Sequence, residues 1–474
     1  NTADIGFEKQ IWNAACVLRG NMDASEYKGV VLGLIFLKYI SDRFEEKYNQ
    51  LVADGDGFEE DRDEYTSEGI FFVPAGARWS DVSAKAHDPE IGQVIDDAMR
   101  AIEKENARLK DILPKNFARP ELDKRRLGEV VDLFTNIKMI EHGSEKDILG
   151  RTYEYCLSMF AEQEGKRGGE FFTPACVVRT LVEVLQPFKG RVYDPCCGSG
   201  GMFVQTGDFV NHAGMIANNT MTFYGQEKVE YNAKLCLMNM AVHGLTGVIK
   251  SGDEANTFYH DAHNLNGCCD YVMANPPFNV DKVKSESAQS AGRLPFGLPG
   301  VNKAKEIGNA NYLWVSYFYS YLNEHGRAGF VMASSATDSQ GKDKDIREKL
   351  IQTGHVDVMM SVGNNFFYTK SLPCSLWFLD KGKPEHLLDT VLFIDARNYY
   401  TVVDRTQNEW SDWQLKNLNA IVWLYRGEVD KYKVLLAEYH AELADDRPFA
   451  EIQAALEQNV QAKREEAKAA VEAA

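Results

Sequence analysis

The sequence lacks any apolar run long enough to cross a bilayer. Its longest run, residues 29–37, stops at Lys38 and is about half as long as a transmembrane helix needs to be. No secretory segment is visible either. The nine cysteines are odd in number and show no C-x-x-C spacing, which argues against a disulfide framework and against a zinc site. We therefore expect a protein of a reducing compartment, the cytoplasm, with no bound metal.

A surplus of basic residues is also missing. The 52 basic and 70 acidic side chains give a formal net charge of −18 at pH 7. Lys and Arg side chains that neutralise phosphates supply most non-specific affinity for nucleic acid, so a chain of this charge is a poor unaided DNA binder. With 474 residues, 44% of them hydrophobic, the chain can bury a large core and is expected to divide into two or three domains.

One short motif, Asn275-Pro276-Pro277-Phe278, carries the strongest functional signal. It ends an apolar run, residues 271–274, that is typical of a buried parallel strand. The prolines stiffen the turn, which leaves the Asn275 side-chain oxygen and the Pro276 carbonyl as acceptors for the hydrogens of a planar amine. Phe278 offers a flat face on which a base carrying that amine can stack. Because Asn-Pro is also a common turn dipeptide, the motif alone leaves a purely structural turn open.

A glycine-rich turn lies upstream of this motif, after a short strand at residues 191–193. Its candidate ligand-binding residues are Asp194, Pro195, Gly198, Ser199, Gly200 and Gly201. The glycines let the backbone approach a ligand closely, and the Asp194 carboxylate can bind an ammonium group. The Gly-Lys-Ser/Thr ending of a phosphate-binding loop is missing and the match to G-x-G-x-x-G is poor, which argues against ATP and against a dinucleotide.

Two further acidic residues follow the next two predicted strands. Glu227 ends the strand at 221–227, where α/β nucleotide sites bind ribose hydroxyls, and Asp253 follows the strand at 248–250. The carboxyl ends of parallel strands meet at one edge of a sheet. We therefore expect the three acidic residues and the 275–278 turn to border a single crevice.

Together these motifs resemble those of the S-adenosylmethionine-dependent DNA adenine-N6 methyltransferases in which the cofactor motif precedes the catalytic motif. A segment ahead of the first strand matches the Phe-x-Thr-Pro segment of that family, which closes over the methionine part of the cofactor. The resemblance implies S-adenosylmethionine as cofactor, with the 275–278 turn acting on a flipped adenine. It places Asp194 on the methionine amine, Glu227 on the ribose and Asp253 on the adenine of the cofactor. The segment that it places at the methionine end comprises Glu170, Phe171, Phe172, Thr173 and Pro174.

The N-terminal region narrows the resemblance to the modification (HsdM) subunits of type I restriction-modification systems. Residues 18–28 and 31–42 are similar to the helical start of those subunits, and the resemblance extends from about Ile11 to Ala396. It implies an assembly on double-stranded DNA with a second copy of this chain and a specificity subunit (HsdS), and optionally with a restriction subunit (HsdR). A basic partner would also compensate for the acidity of this chain.

We predict an α/β fold, a doubly wound Rossmann-like methyltransferase sheet with an N-terminal helical domain and a C-terminal helical tail. Residues 1–150 form the helical domain, 151–400 the catalytic domain, and 401–474 a helical segment for subunit assembly. The alternation of β-rich and helical runs predicts the sheet. Its strands are predicted at Arg191, Thr222, Val248, Asp270, Gly329, Val356, Ser375 and Val391.

Two segments leave alternatives open. Residues 280–311, rich in Lys, Ser, Gly and Pro, are either a lid that orders over the flipped base or the DNA backbone, or a flexible loop. Near the C-terminal end, Ile452, Leu456 and Val460 form a narrow apolar stripe that either binds a partner or belongs to a frayed surface helix. The region after residue 396 is too small and too helical for a target-recognition domain, which again favours a separate DNA-reading subunit.

Two rival functions come from other classes. A protein-glutamine methyltransferase can use the same kind of turn, because a side-chain amide also presents an NH2 group, but those enzymes carry Tyr in place of Phe278 and lack the helical start at residues 18–42. A non-catalytic scaffold that keeps the fold is disfavoured because both the cofactor motif and the catalytic motif are intact.

Overall fold

The computed structural model describes residues 12–13, 16, 24–136, 155–156, 159–160, 173–367, 373–403, 407–444 and 447–472. The chain divides into two compact units, Asn1–Glu409 and Trp410–Ala474. The predicted boundary at residue 150 lies outside the described residues. Within the described chain, no helix combines the length and the apolarity that a membrane crossing requires.

The first unit begins with a helical region. Its helices are α1 Ala24–Asp54, α2 Arg62–Thr66, α3 Trp79–Ser83, α4 Ile91–Glu105 and α5 Lys124–Thr135. The longest apolar run of the sequence, residues 29–37, lies within α1, whose residues from Val30 to Ile40 are buried. Helix α4 buries Ile91, Ile95, Met99 and Ile102, which share one face at helical spacing. Burial of these faces, more than intrinsic helix propensity, holds the helical region together.

The helical region packs directly on the sheet region that follows it. Their shared core includes Leu235, Met238 and Val242, which lie on a helix of the sheet region, Glu230–Val242. The Arg108 side chain reaches across and donates from Nη2 to the Leu245 carbonyl at 3.0 Å. This common core explains why the two regions form one compact unit.

An eight-stranded sheet forms the centre of the first unit. Its strands are β1 Gly190–Asp194, β2 Met221–Glu227, β3 Gly247–Ser251, β4 Cys269–Ala274, β7 Leu322–Ala333, β8 Val356–Val362, β9 Cys374–Asp380 and β10 Leu392–Ala396. They lie in the order β10-β8-β9-β7-β4-β1-β2-β3, and all pairs are parallel except those of β9, which runs antiparallel to β7 and β8. The eight strands predicted from the sequence are confirmed.

Helices cover both faces of this sheet. They are α6 Ala175–Leu185, α7 Gly201–His212, α8 Ala217–Thr220, α9 Glu230–Val242, α11 Asn311–Tyr321 and α12 Lys342–Gln352. Along β4, Val272 and Ala274 share a core with α11, while the intervening Met273 accepts a hydrogen bond from Thr206 of α7 on the opposite face. Strands covered on both faces need near-continuous apolar runs, as residues 271–274 have. The predicted doubly wound fold is confirmed.

The segment between β4 and α11 is ordered. Strands β5 Val283–Lys284 and β6 Glu306–Ile307 form an antiparallel ribbon, and the short helix α10 Ser285–Ser290 follows β5. Val283, Ala288, Phe296 and Ile307 are buried in the same core as α11. The alternative of a flexible loop is therefore wrong for this segment. Five aromatic residues of α11 are buried in this core: Tyr312, Trp314, Tyr317, Phe318 and Tyr321.

A small hairpin and three helices follow the sheet in the described part of the chain. Strands β11 Thr401–Val402 and β12 Asn408–Glu409 pair with each other. The second unit consists of α13 Asp412–Tyr425, α14 Val429–Ala444 and α15 Arg447–Glu472. Helix α13 begins with a capping box, because the Ser411 hydroxyl accepts from the Gln414 N–H while the Gln414 side chain accepts from the Ser411 N–H. The predicted C-terminal helical segment is thus present.

Candidate active site

Adjacent strands bring the predicted site residues to one edge of the sheet. Strand β1 pairs in parallel with β2, where Asp194 lies opposite Gly225, and with β4, where Tyr193 lies opposite Val272. The carboxyl ends of the three strands therefore meet, and they carry Asp194, Glu227 and Asn275. Outside the carboxyl ends of its strands is where a doubly wound sheet binds ligands.

The glycine-rich turn between β1 and α7 presents an open stretch of backbone. Gly198 and Gly200 have φ angles of +51° and +82°, which favour glycine. A Cβ atom at Gly198 or Gly201 would meet no heavy atom within 4 Å, whereas one at Gly200 would lie 2.7 Å from the Cys236 Sγ. The turn is thus packed against α9 on one side and open to a ligand on the other.

Polar contacts hold this turn in place. Asn239 of α9 donates from Nδ2 to the Ser199 carbonyl at 3.0 Å, and the carbonyl of the buried Pro195 accepts a hydrogen bond from the Thr257 hydroxyl at 2.5 Å. The turn is therefore anchored at both ends by contacts within the protein.

Asp194 is a buried carboxyl group at the start of the turn. It is 2% exposed and accepts a hydrogen bond from the Cys196 N–H at 3.0 Å. The pKa of Asp194 is raised to about 7, mainly by burial and to a smaller extent by the charge of Glu227, while hydrogen bonds from Cys196 oppose the shift. No cationic side chain among the described residues forms an ion pair with Asp194. The site therefore suits a ligand that brings its own positive charge.

Glu227 joins the ends of β1 and β2. Its Oε2 accepts from the Gly198 N–H at 3.0 Å and its Oε1 accepts from the Val229 N–H at 2.9 Å. Glu227 therefore shapes the glycine turn, and it lies at the strand end where α/β nucleotide sites bind ribose hydroxyls.

Asp253 lies beyond β3, in an exposed helical turn that follows Gly252. The loop after it is held by Gln226, a fully buried residue of β2 that was not predicted from the sequence. Gln226 Oε1 accepts from the Tyr193 hydroxyl at 2.6 Å and from the Ala262 N–H at 2.9 Å, and its Nε2 donates to the Ala255 carbonyl at 3.1 Å. The one available signal was an amide side chain in the predicted strand at 221–227, directly before Glu227.

The 275–278 turn leaves β4 at the same edge. Asn275 donates from Nδ2 to the Thr173 Oγ1 at 2.9 Å, while its Oδ1 is buried and has no hydrogen-bond partner among the described residues. Pro276 is buried, and Pro277 and Phe278 are half-buried. An unpaired buried acceptor costs free energy, typically about 1–3 kcal/mol, unless a ligand satisfies it. The Oδ1 atom of Asn275 is therefore available to accept a hydrogen bond from a ligand.

The Phe-x-Thr-Pro segment is only partly described. Thr173 reaches the 275–278 turn, and the buried Pro174 directly precedes α6. Glu170, Phe171 and Phe172 lie outside the described residues.

Comparisons with known proteins place the chain in a family. The N-6 DNA methylase family profile matches residues 144–455, and the HsdM N-terminal domain profile matches residues 7–134. The type I restriction enzyme MjaIX methylase subunit of Methanocaldococcus jannaschii is 34% identical over 470 residues, which cover 94% of this chain and 80% of that protein. The HindI methylase subunit of Haemophilus influenzae is 34% identical over 361 residues, or 72% of this chain and 79% of that protein.

A solved structure agrees with the fold. The type I methyltransferase subunit from Streptococcus thermophilus superposes with a TM-score of 0.72, covering 88% of this chain and 92% of that chain at 22% identity. The chain therefore belongs to the N-6 DNA methylase family, among the type I restriction-modification methylase (HsdM) subunits, and is an adenine-specific DNA methyltransferase.

Proposed function

We propose that residues 275–278 carry out the adenine-N6 methyl transfer and that the glycine turn, with the acidic residues beside it, holds S-adenosylmethionine. The observation that carries this assignment is the buried, unpaired Oδ1 of Asn275 at the edge where the uncompensated carboxyl group of Asp194 also lies. When bound, S-adenosylmethionine supplies a methyl group activated by its sulfonium centre. Methyl transfer by Asn275 variants tests the assignment.

The adenine amine is a poor nucleophile because its lone pair is delocalised into the ring. Asn275 Oδ1 and the Pro276 carbonyl would accept its two hydrogens and so favour a pyramidal nitrogen. Thr173 holds the other end of the Asn275 amide and thereby keeps Oδ1 available. Phe278 would stack on the flipped base and offset part of the few kcal/mol spent on extracting it. Alignment of the reactants then supplies much of the acceleration, and no covalent enzyme intermediate is needed.

The cofactor contacts follow the order of the strand ends. Asp194 would hold the methionine amine, Glu227 the ribose hydroxyls and Asp253 the adenine, along the open backbone of Gly198 and Gly201. Phe172 and Thr173, with Glu170, Phe171 and Pro174, would shape the methionine end. The residues fit this ligand because the buried carboxyl group lacks a cation and the turn is open on one side.

We expect the affinity for S-adenosylmethionine to fall about tenfold between about pH 8 and about pH 6, because only the ionised form of Asp194 pairs with the ligand amine and its pKa is about 7. The sign follows from the raised pKa: lowering the pH protonates Asp194 and reduces the binding-competent fraction. Asp194→Asn should weaken binding by about 1.5–3 kcal/mol at the higher pH and flatten this dependence. Calorimetry across the pH range measures both effects.

Two comparisons make this test specific. The ligand's own amino group also titrates, so the informative quantity is the difference between the wild type and Asp194→Asn. Glu227→Gln keeps an acceptor for one of the two loop N–H groups but loses charge. It should weaken binding and still show a fall in affinity with falling pH, moved to lower pH because the charge of Glu227 raises the pKa of Asp194. If Asp194→Asn and the wild type have equal pH profiles, Asp194 does not bind the ligand amine.

Thr173→Val should lower the methyl transfer rate while S-adenosylmethionine still binds. Valine matches threonine in size but cannot accept the hydrogen bond from Asn275 Nδ2, so the amide is free to turn its oxygen away from the base. One hydrogen bond of this kind contributes about 0.5–1.5 kcal/mol, which corresponds to a loss of a few-fold to tenfold in rate. Single-turnover methylation measures it, and Thr173→Ser, which keeps the hydroxyl, is the matched control. A wild-type rate in Thr173→Val would show that Thr173 does not orient Asn275.

We further propose that this chain acts on double-stranded DNA in an assembly with a second copy of itself and a DNA-reading specificity subunit, to which a restriction subunit can be added. Residues 1–150, 151–400 and 401–474 would serve as the helical, catalytic and assembly domains. Protein-glutamine methylation and a purely structural role are both disfavoured by membership of the N-6 DNA methylase family.

A further inference from the structure

Three asparagines tie the exit of the catalytic turn to the start of α11. Asn279, the residue after Phe278, donates from its N–H to Asn311 Oδ1 at 2.8 Å, and its own Oδ1 accepts from Asn311 Nδ2 at 2.9 Å. The same Oδ1 also accepts from Asn309 Nδ2 at 3.0 Å. A backbone hydrogen bond from the Ala310 N–H to the Val280 carbonyl, at 2.9 Å, lies beside this cluster. Hydrogen bonds thus join the two ends of the segment between the turn and α11, residues 279–280 and 309–311.

The two main partners differ in their surroundings. Asn279 is exposed and has a φ angle of +56°, a left-handed conformation that asparagine tolerates better than most residues. Asn311 is 2% exposed and is the first residue of α11, whose aromatic side chains fill the core. Asn311 is therefore fixed by packing, and Asn279 is fixed through Asn311.

We infer that Asn311 is a positioning residue for methyl transfer, acting through Asn279 to set the direction in which the chain leaves Phe278. Three hydrogen bonds hold both the backbone and the side chain of Asn279, so they restrict rotation about the residue that adjoins the stacking ring. Without them, Phe278 and the turn would sample geometries in which the base is not aligned for reaction. The inference rests on the proposed catalytic role of residues 275–278.

The test uses the chain assembled with its DNA-reading subunit and a duplex carrying 2-aminopurine in place of the target adenine. Asn279→Gly removes the shared acceptor, while glycine adopts the left-handed conformation without strain, so this variant should fold. Asn311→Ala removes both hydrogen bonds that the Asn311 side chain makes to Asn279. Both variants should bind S-adenosylmethionine as the wild type does. On an unmodified duplex they should methylate more slowly, by up to about a hundredfold, the loss that a misplacement of about 1 Å causes.

The fluorescence of the 2-aminopurine duplex separates positioning from a general loss of stability. In both variants the signal should shift from the wild-type value toward that of Phe278→Ala, because the ring no longer stacks in one place. Asn302→Ala is the matched control: Asn302 Oδ1 caps the N–H groups of Ala304 and Glu306 in the same segment, away from the turn. It should match the wild type in rate and in fluorescence.

A wild-type rate and fluorescence in Asn279→Gly would overturn the inference, whether or not Asn311→Ala folds. In that case, loss of activity in Asn275→Ala in the same assay would still support the proposed catalytic role of residues 275–278. Methylation by Asn275→Ala at the wild-type rate would instead refute the proposed catalytic role of residues 275–278.

Discussion

The Asn275→Ala protein should bind S-adenosylmethionine normally and yet transfer no detectable methyl group to DNA. The proposed partner of Asn275 in the reaction is the target base, so the proposed cofactor contacts of Asp194 and Glu227 would be untouched. Removing one preorganised polar group at a reacting centre costs about 10²–10³-fold in rate, and here the same change also removes the means of making the amine nucleophilic. Calorimetry for the cofactor and single-turnover methylation of DNA measure the two halves of the result.

Phe278 should respond in a graded way. Stacking contributes about 1–3 kcal/mol per base, so Phe278→Ala should keep some activity, and Phe278→Trp or Phe278→Tyr should keep more. This gradation distinguishes a stacking face from a chemical group. Full methylation by Asn275→Ala would contradict the proposed mechanism. Equal rates for the three Phe278 variants would argue against stacking.

Purified alone, this chain should not methylate DNA at a defined sequence, and adding a specificity subunit should restore that activity. With a net charge of −18, the chain supplies little of the phosphate neutralisation on which DNA affinity depends. The proposed partner would supply it, together with the contacts to base edges that carry sequence information. Methylation mapped along a DNA substrate, with and without the partner, checks this. A single methylated sequence at a rate that no partner changes would contradict the prediction.

Helix α15 carries the exposed apolar stripe that we expect such a partner to cover. Ile452, Leu456 and Val460 are 64%, 61% and 46% exposed, which is a large exposure for three apolar residues along one helix face. Deleting residues 451–474, or the single change Leu456→Glu, should impair assembly more than cofactor binding. Gln461→Glu, a change to another exposed side chain of the same helix, is the control. Assembly should be measured by co-purification, and an intact complex with the deleted chain would rule out this surface.

The sequence revealed those parts of the fold that depend on local patterns. The strands of the sheet are β-rich runs, and the acidic residues stand at or just beyond strand ends, so both are visible without a structure. The contacts that align the site were not visible, because they join distant residues: Thr173 and Asn275 are 102 positions apart, and Gln226 and Ala262 are 36 apart. The 280–311 segment was left open because small polar residues and lysines are typical both of a loop and of an ordered ribbon. Its buried Phe296 and Ile307 are too widely spaced to show a period.

The core that the helical region shares with α9 affects how this protein can diverge. Leu235, Met238 and Val242 contact the helical region, while Asn239 of the same helix holds the Ser199 carbonyl in the glycine turn. A substitution on the surface of the helical region that repacks α9 can therefore alter the turn that faces the ligand, although the two sites never touch. Recombination between related genes would succeed when the helical region and α9 are inherited together, and an exchange point between them would separate coadapted residues.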